Sequence, residues 1–471
     1  MGARSMSELE QPGEESWVVA ELGGVELGDK RLNWRLLDTA SKLAGQPPAS
    51  IPQACDDWAD TKATYRLFDN KKVTAEKVLQ PHFARTAGRM AGQALVLVVQ
   101  DTSYLDYTHH PKTADLGPIG TEQQQLQGLV MHSALFLTVE GLPLGLGSQR
   151  IWVRAPTPKQ LTPQARGALP ITEKESNKWL TALVDAQELV PAGTQAVHVG
   201  DSEADIYDLF VKAQDLKTDL LVRAAQDRSV VTPAVGRLWG LATAQPPVGT
   251  VTVEVQARPP EPPRTATVVV RFCPVPLRPP QNAPTKHPPV HMHAVLVREE
   301  APPAGVTPLE WLLLTSVPVH TVDDALERIR WYCQRWQIEV YHKVLKSGCR
   351  IEACQLTTAA RLIRCVALCS IISWRLLWMT HIHRQAPHAP CTLILTEHEW
   401  RALYAHTTRS PHTPPQPPTV GEVVLWIAQL GGFLARRRDG PPGVTVIWRG
   451  WQRLNDIADT WLIYNPPKTC G

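Results

Sequence analysis

The sequence predicts a mixed α/β protein: a sheet of buried strands alternating with helices, flanked by helical segments at both ends. Three observations carry this expectation. Short continuous apolar runs, Ala94-Leu-Val-Leu-Val-Val-Gln100 and Gln195-Ala-Val-His-Val-Gly200, read as strands buried on both faces. Segments of helical periodicity separate them. The composition, 43% hydrophobic and 20% charged over 471 residues, is that of a chain with a large core, and the length allows about three domains.

Residues 1–75 read as helical. Arg35 to Leu43 carries helical periodicity, and Thr64 to Asn70 reaches a helix stop at Asn70. This segment is net acidic, with 9 Lys/Arg against 12 Asp/Glu, yet Lys30, Arg31 and Arg35 cluster, as do Lys71 and Lys72. After the first buried strand come strand patterns at Leu129 to Val139 and Leu142 to Val153, then a helix over Glu173 to Leu189. Asp201 directly follows the strand at 195–200. Ser202-x-x-Asp205 reads as a capping box opening a helix through Phe210. Asp219-Leu-Leu-Val-Arg223 is one more strand.

From about 245 the texture changes. Fifteen prolines fall in 245–305, between short alternating runs at Thr250–Gln256, Thr267–Phe272 and His291–Arg298. The pattern is a β-rich insertion with Pro-rich connections. Leu309 to Val317 returns to the buried-strand pattern, and Thr321 to Lys346 is a long helix. Further helices follow at about 356–380, 392–406, 419–436 and 451–463, with a Pro-rich connection at Pro411 to Pro418.

Forty-eight Lys+Arg against 45 Asp+Glu give a net charge of +3, which excludes a histone-like basic binder but leaves room for local basic faces. No segment reaches the ~18 uncharged apolar residues of a membrane span; Cys365 to Trp374 stops at Arg364 and Arg375. The acidic N-terminus lacks an apolar signal region and fails the myristoylation pattern at Met6. Nine cysteines, an odd number without a CxxC pair, point to a reducing compartment. Cys365 and Cys369, one helical turn apart, read as core. His381, His383, His388 and Cys391 fit no standard zinc spacing.

On a wheel of about 100° per residue, Tyr332, Arg335, Glu339 and Lys346 fall within an arc of about 60° of the 321–346 helix. Most of the remaining circumference is apolar. The stripe is either a solvent-facing strip with an i,i+4 Arg335–Glu339 pair or a functional face. Asp101 and Asp201 sit where buried strands end, the place at which open α/β sheets bind ligands. Three carboxylates on a rigid sheet and helix suit two hard divalent cations, Mg²⁺ or Mn²⁺. Such a pair, about 3.5–4 Å apart, serves phosphoryl transfer.

The run Tyr332-x2-Arg335-x3-Glu339-x6-Lys346, within YCQRWQIEVYHKVLKSG, resembles the signature of the DDE transposases of the insertion-sequence-four family, in their transposon-five branch. QDTSYLDY and GDSEADIYDLF resemble the motifs of the first and second acids, with Asp101 and Asp201 in place. WLLLTSVPV resembles the strand leading to the Glu helix. GDKRLNWRL, YRLFDN, IAQLGGFLARR and WRGWQRL are similar to the family's end domains.

The resemblance implies an RNase H-like catalytic core over 76–370, with a β-rich insertion at about 229–305. A helical DNA-end-binding domain over 1–75 and a helical dimerisation domain over 371–471 would flank it. It implies that Asp101, Asp201 and Glu339 hold two Mg²⁺ ions per active site, with Mn²⁺ as a substitute. Tyr332, Arg335, Lys343 and Lys346 would grip terminal phosphates, Trp311 would stack a flipped base, and Arg223 would contact DNA. Arg31 and Arg35 would help recognise the terminal inverted repeat. The partners implied are double-stranded DNA, both transposon ends and target, and a second copy in a synaptic homodimer. No membrane is expected. The implied place is the bacterial cytoplasm, on the nucleoid when bound. Ser202 stands where the branch has Arg. An end-binding protein that no longer cuts, or a non-transposing RNase H-like nuclease, are the competing expectations.

Overall fold

A computed structural model describes residues 16–155, 169–232, 236–255, 264–281 and 287–466. The N-terminal reading over 1–15 and parts of the Pro-rich connections lie outside the described residues. The chain opens with helices α1 (Trp17–Leu22), α2 (Lys30–Gly45), α3 (Ile51–Ala54), α4 (Trp58–Asp69) and α5 (Ala75–Met90). Strands β1 (Leu95–Asp106), β2 (Gly117–Ile119), β3 (Leu126–Leu137) and β4 (Pro143–Trp152) follow. Then come α6 (Asn177–Gln187), β5 (Gln195–Gly200), α7 (Tyr207–Leu216), β6 (Asp219–Arg223) and α8 (Leu238–Thr243). The insertion supplies β7 (Gly249–Val255), β8 (Arg264–Leu277) and β9 (Val290–Arg298), and β10 (Glu310–Thr315) leads to α9 (Val322–Gln334) and α10 (Trp336–Lys343). The last helices are α11 (Ala359–Gln385), α12 (Glu397–Thr408), α13 (Val420–Leu430) and α14 (Val444–Tyr464).

These elements form two compact units. The first takes Met1–Gly92, Thr102–Pro156 and Glu339–Gly471; the second takes Gln93–Asp101 and Thr157–Ile338. The N- and C-terminal helices share the first unit.

In the first unit β2, β3 and β4 are antiparallel neighbours, and α11 is the central helix. Cys365, Cys369, Ile371, Leu376 and Ile382 on α11 are all buried. The helix runs well beyond the ten uncharged residues legible in the sequence. By length and apolarity it could cross a membrane, but 89% of its most apolar window is buried inside the protein. Its arginines explain how charge is accommodated there. Arg361 Nε donates to Asp69 (2.8 Å), and Arg364 donates to the Phe68 (2.9 Å) and Val73 carbonyls at the end of α4. Arg375 is buried, donates to the Ile394 carbonyl (3.0 Å) and stacks over Trp378 (4.4 Å). Burial lowers its pKa to about 10, which still leaves it charged at neutral pH. Trp451 Nε1 of α14 donates to the Ala44 carbonyl of α2 (2.8 Å), tying the last helix to the second.

A buried ionic cluster joins α1, α5 and β4. The Leu146 N–H donates to His82 Nε2 (2.9 Å), so the neutral ring carries its proton on Nδ1 and donates it to Glu21. Arg89 grips the same carboxylate with two nitrogens (2.8 and 2.9 Å) and lies 4.2 Å over Trp374. Burial pushes the Glu21 carboxyl up, but Arg89 and His82 outweigh it and hold it well below the usual range.

In the second unit the residues of β1 up to Asp101 pair in parallel with β5, and β5 in parallel with β6. β10 is antiparallel to β6, and β9, β8 and β7 continue outward from it. The strands of the insertion therefore prolong this sheet. Pro274 and Pro276 are tolerated in β8 because β7 pairs it only as far as Val270. Beyond that point one edge of β8 is free of a continuous partner strand, and a missing N–H breaks no ladder. Trp179, Phe210, Leu220, Leu296 and Leu312 belong to the core of this unit.

The Glu21 cluster sets an acid limit on stability. Its folded pKa is depressed, so its contribution is complete above the ordinary value of 4.5 and is lost as pH falls through the folded value. Glu21→Ala is expected to cost about 3–5 kcal/mol near neutral pH, because it strands Arg89 beside a buried histidine. Urea unfolding across a pH series should show the gap to wild type narrowing below pH 4.5.

Candidate functional site

The acids expected at strand ends stand side by side in the second unit. Val99 pairs with Val199 in the parallel ladder, so Asp101 and Asp201 each lie two residues further along adjacent strands. Gly200 pairs with Val222, which makes Arg223 the next residue opposite Asp201. Asp101, Asp201 and Arg223 thus form one row across β1, β5 and β6. Behind the row, the Gln100 side-chain amide donates to His198 Nδ1 (3.2 Å), and His198 Nε2 faces Gln187 Oε1 at 3.4 Å. Burial lowers the His198 pKa to about 3, so the ring is a neutral brace between the strands. A Gln and a His inside otherwise apolar strands were the sequence signals for this pair.

The turn after Asp201 departs from the sequence expectation. Asp201 itself caps a short 3-10 turn, Ser202–Ala204, accepting from the Glu203 N–H (2.8 Å). Helix α7 begins later, at Tyr207, so Ser202 and Asp205 make no capping box. Asp205 is instead buried. Its carboxylate accepts from the Ala225 (2.8 Å) and Gln226 (2.9 Å) N–H groups and from Arg228 Nε (2.7 Å). Arg228 packs over Phe210 at 5.3 Å. This pair ties the loop that leaves β5 with Asp201 to the loop that leaves β6 with Arg223. Gly200 has no substitute here: a Cβ would come within 2.4 Å of the Ala204 side chain and 3.1 Å of the Trp179 ring.

An aromatic and cationic group belongs to the same unit. The Trp311 and Tyr332 rings are 5.7 Å apart at 59°, and the Arg335 guanidinium lies 6.0 Å from the Tyr332 ring. Tyr332 is buried, contrary to the exposed stripe expected of its helix face, because β10 brings Trp311 against it. Burial raises its phenol pKa, Arg335 and Arg223 oppose that rise, and Asp201 adds to it. Cys333, expected to pack inward, is exposed.

Glu339, Lys343 and Lys346 belong to the first unit. α9 ends at Gln334, Arg335 keeps helical geometry (φ −53°, ψ −33°), and α10 continues the chain with Glu339 in its first turn. After Lys343 the backbone widens into a π turn, Val344–Gly348, which shifts Lys346 off the regular wheel. Lys346 Nζ donates to the Tyr104 carbonyl (2.6 Å) and pairs with Glu352 (3.4 Å), whose carboxylate also accepts from the Asp106 N–H (3.0 Å). Lys346 is therefore an internal anchor in this structure, while Lys343 is exposed. His342, just before Lys343, is buried and neutral, its pKa lowered to about 3 by burial and by Lys346.

The N-terminal helices present a separate concavity of about 490 Å³, lined by Arg31, Trp34, Arg35, Arg66 and Lys72 among others. Arg31 is exposed, as is Trp34 at 60%. Arg35 instead bonds to Asp38 and Asp60, both at 2.9 Å, so its charge is largely balanced within the protein. Arg66 and Trp34 were not singled out from sequence; Arg31, Trp34 and Arg35 lie one turn apart on α2, which was the available sign.

Only Asp201 stands at a strand end, because β1 runs on past Asp101 to Asp106; the hard carboxylate oxygens of the two acids on adjacent strands still fit a Mg²⁺ or Mn²⁺ ion by donor chemistry. Among the described residues, no three His, Cys, Asp or Glu side chains are grouped so as to hold a metal by themselves. The acids that would hold an ion are Asp101 and Asp201, with a further carboxylate needed.

Two family models match the chain. Transposase DNA-binding covers residues 14–73, and Transposase Tn5 dimerisation domain covers residues 371–461. A match to a transposase DNA-binding model near one end and to a transposase dimerisation model near the other supports a transposase role. Together the two matches support a transposase of the Tn5 type, in the insertion-sequence-four family.

The Asp205–Arg228 pair gives a direct test of how the strand ends are held. Asp205→Ala leaves the buried Arg228 charge without its carboxylate, with only the backbone carbonyl of residue 205 to bond to, and is expected to cost about 3–5 kcal/mol. Chemical denaturation of the purified variant against wild type measures it.

Proposed function

We propose that the chain cuts and joins DNA by phosphoryl transfer, using Asp101, Asp201 and Glu339 as its acids. The observation that carries this reading is the row Asp101–Asp201–Arg223 with Tyr332 and Arg335 beside it. The antiparallel β2–β3–β4 of one unit and the parallel β1–β5–β6 of the other support an RNase H-like core. Two divalent ions held by the three acids would supply an activated attacking oxygen and a stabilised leaving oxygen.

The chain's own residues would do the rest. Arg223 and Arg335 would neutralise and orient the phosphate at the scissile bond. Trp311 and Tyr332 would give an unpaired base a stacking surface, which a sharply bent strand end needs. Water would nick a transposon end, and the freed 3′-OH would attack the opposite strand to form a hairpin. A second water would open the hairpin, and the 3′-OH would join target DNA. Each step exchanges one phosphodiester for another or hydrolyses it, so neither ATP nor a covalent enzyme intermediate is required. Arg31, with Arg66 and Lys72 around exposed Trp34, would track the phosphates of the terminal repeat. The dimerisation domain, with exposed Ile463 and Tyr464 ending α14, supports a synaptic homodimer.

The test is a cleavage assay on labelled DNA carrying the ends that flank the gene, with Mg²⁺ or Mn²⁺ and denaturing gels. Nicks, hairpins and double-strand breaks should appear with metal and vanish with chelator. Asp201→Ala and Glu339→Gln should remove all of them while end binding persists. Cutting that survives Glu339→Gln would overturn the acid assignment, and binding without cutting by wild type would favour an end-binding inhibitor. In a separate binding titration, Arg31→Ala should reduce the log-affinity against log-salt slope by about 1.

A further inference from the structure

We infer that Cys354 and Cys365 form an oxidisable pair, converted by a peroxide-class oxidant to an intramolecular disulfide beside a cavity in the first unit. The cavity encloses about 380 Å³. Leu43, Ile51 and Tyr65 of the N-terminal helices line it, together with Cys349, Cys354, Cys365 and Cys369.

The geometry distinguishes the pair from the other two thiols. The Cys354 and Cys365 sulfurs are 3.8 Å apart, in contact and unbonded. A disulfide needs about 2.05 Å, so a small shift of one side chain closes the gap. Cys349 is occupied elsewhere, with its sulfur at 3.3 Å from the Ser373 hydroxyl and 3.9 Å from the Cys369 carbonyl. Cys354 follows the short 3-10 turn Ile351–Ala353 in extended geometry and is partly exposed, whereas Cys365 is buried on α11. An oxidant arriving through the cavity therefore meets Cys354 first. The sulfur contacts with Cys354 and Cys369, together with burial, hold the Cys365 thiol well above its usual range, so Cys365 stays protonated and is not the thiol that the oxidant meets first. Among the described residues no group of His, Cys, Asp or Glu is placed to hold a metal, so the sulfurs do not form a soft-metal site.

The reaction balances as follows. Cys354 loses its proton, its thiolate attacks one peroxide oxygen, the O–O bond breaks, and the departing hydroxide takes up that proton, so that a sulfenic acid and water result. The Cys365 thiol, losing its proton, attacks the Cys354 sulfur and expels a second water. Two thiols are oxidised and one peroxide is reduced. The product would staple the turn that carries Glu352, the partner of Lys346, to α11.

The experiment treats the full chain with hydrogen peroxide, caps remaining thiols with a maleimide mass tag, and maps peptides without reduction. The expected result is the loss of two tagged thiols and a crosslinked peptide containing Cys354 and Cys365, both reversed by dithiothreitol. The crosslink should persist in Cys333→Ser and disappear in Cys354→Ser. Cys365→Ala serves beside Cys365→Ser, because a hydroxyl at that buried position can itself disturb folding. Oxidation of exposed Cys333 while Cys354 and Cys365 stay fully tagged would overturn the inference. So would a crosslink to Cys349 or Cys369 instead, or sulfenic or sulfinic acid at Cys354 without a crosslink.

Discussion

The parallel register of β1, β5 and β6 is the constraint on which the acidic row rests. Both faces of these strands are apolar and buried, so the register is held by the fit of the side chains packed on each face. Once it is set, Asp101, Asp201 and Arg223 must emerge together, whatever the loops beyond them do. The Gln100–His198 contact and the close approach of Trp179 to Gly200 reinforce the same alignment from inside the sheet. Asp205 and Arg228 extend that control into the two loops, so the direction in which Asp201 leaves its strand is decided by an ion pair several residues downstream.

A second theme is how the chain distributes its cations. Its net charge is only +3, and many of its arginines and lysines turn inward. Arg35 and Lys42 hold Asp60, Arg89 holds Glu21, Arg228 holds Asp205, and Lys346 caps the Tyr104 carbonyl. Arg361 and Arg364 bind the end of α4 to the central helix. Other cations face solvent, among them Arg31, Arg66 and Lys72 in the N-terminal region, Lys343 beyond Glu339, and Arg436, Arg437 and Arg438 after α13. A near-neutral DNA-binding protein must work from such restricted basic patches, where affinity follows the few phosphates actually neutralised.

Much of the fold was legible because local and tertiary demands agree. β5 and β6 occupy the residues their apolar runs mark, 195–200 and 219–223, and α4 stops at the Asn70 that its sequence announces. The Pro-rich stretch forms strands as its alternation suggests, although its strands join the main sheet of the second unit. The failures have a common cause. The capping box at Ser202 gave way because Asp205 found stronger partners at 225–228. Tyr332 is buried because a strand 21 residues earlier brings Trp311 against it, and Lys346 is occupied by a carbonyl 242 residues away. A helical wheel contains none of these partners.

The sequence by itself determined where the apolar strands β5 and β6 run and where α4 stops, since each depends on near-neighbour periodicity and on which residue types follow a buried run. The signature around Glu339 and the motifs at both chain ends were also written locally. Only the tertiary structure decided which strands lie next to one another, and hence that Asp101, Asp201 and Arg223 share a row. It also decided which cations are anchors and which face solvent, and that the sulfurs of Cys354 and Cys365 lie in contact. These outcomes are pairings across tens to hundreds of residues, and a pairing is a property of the packed chain that neither partner's local sequence contains.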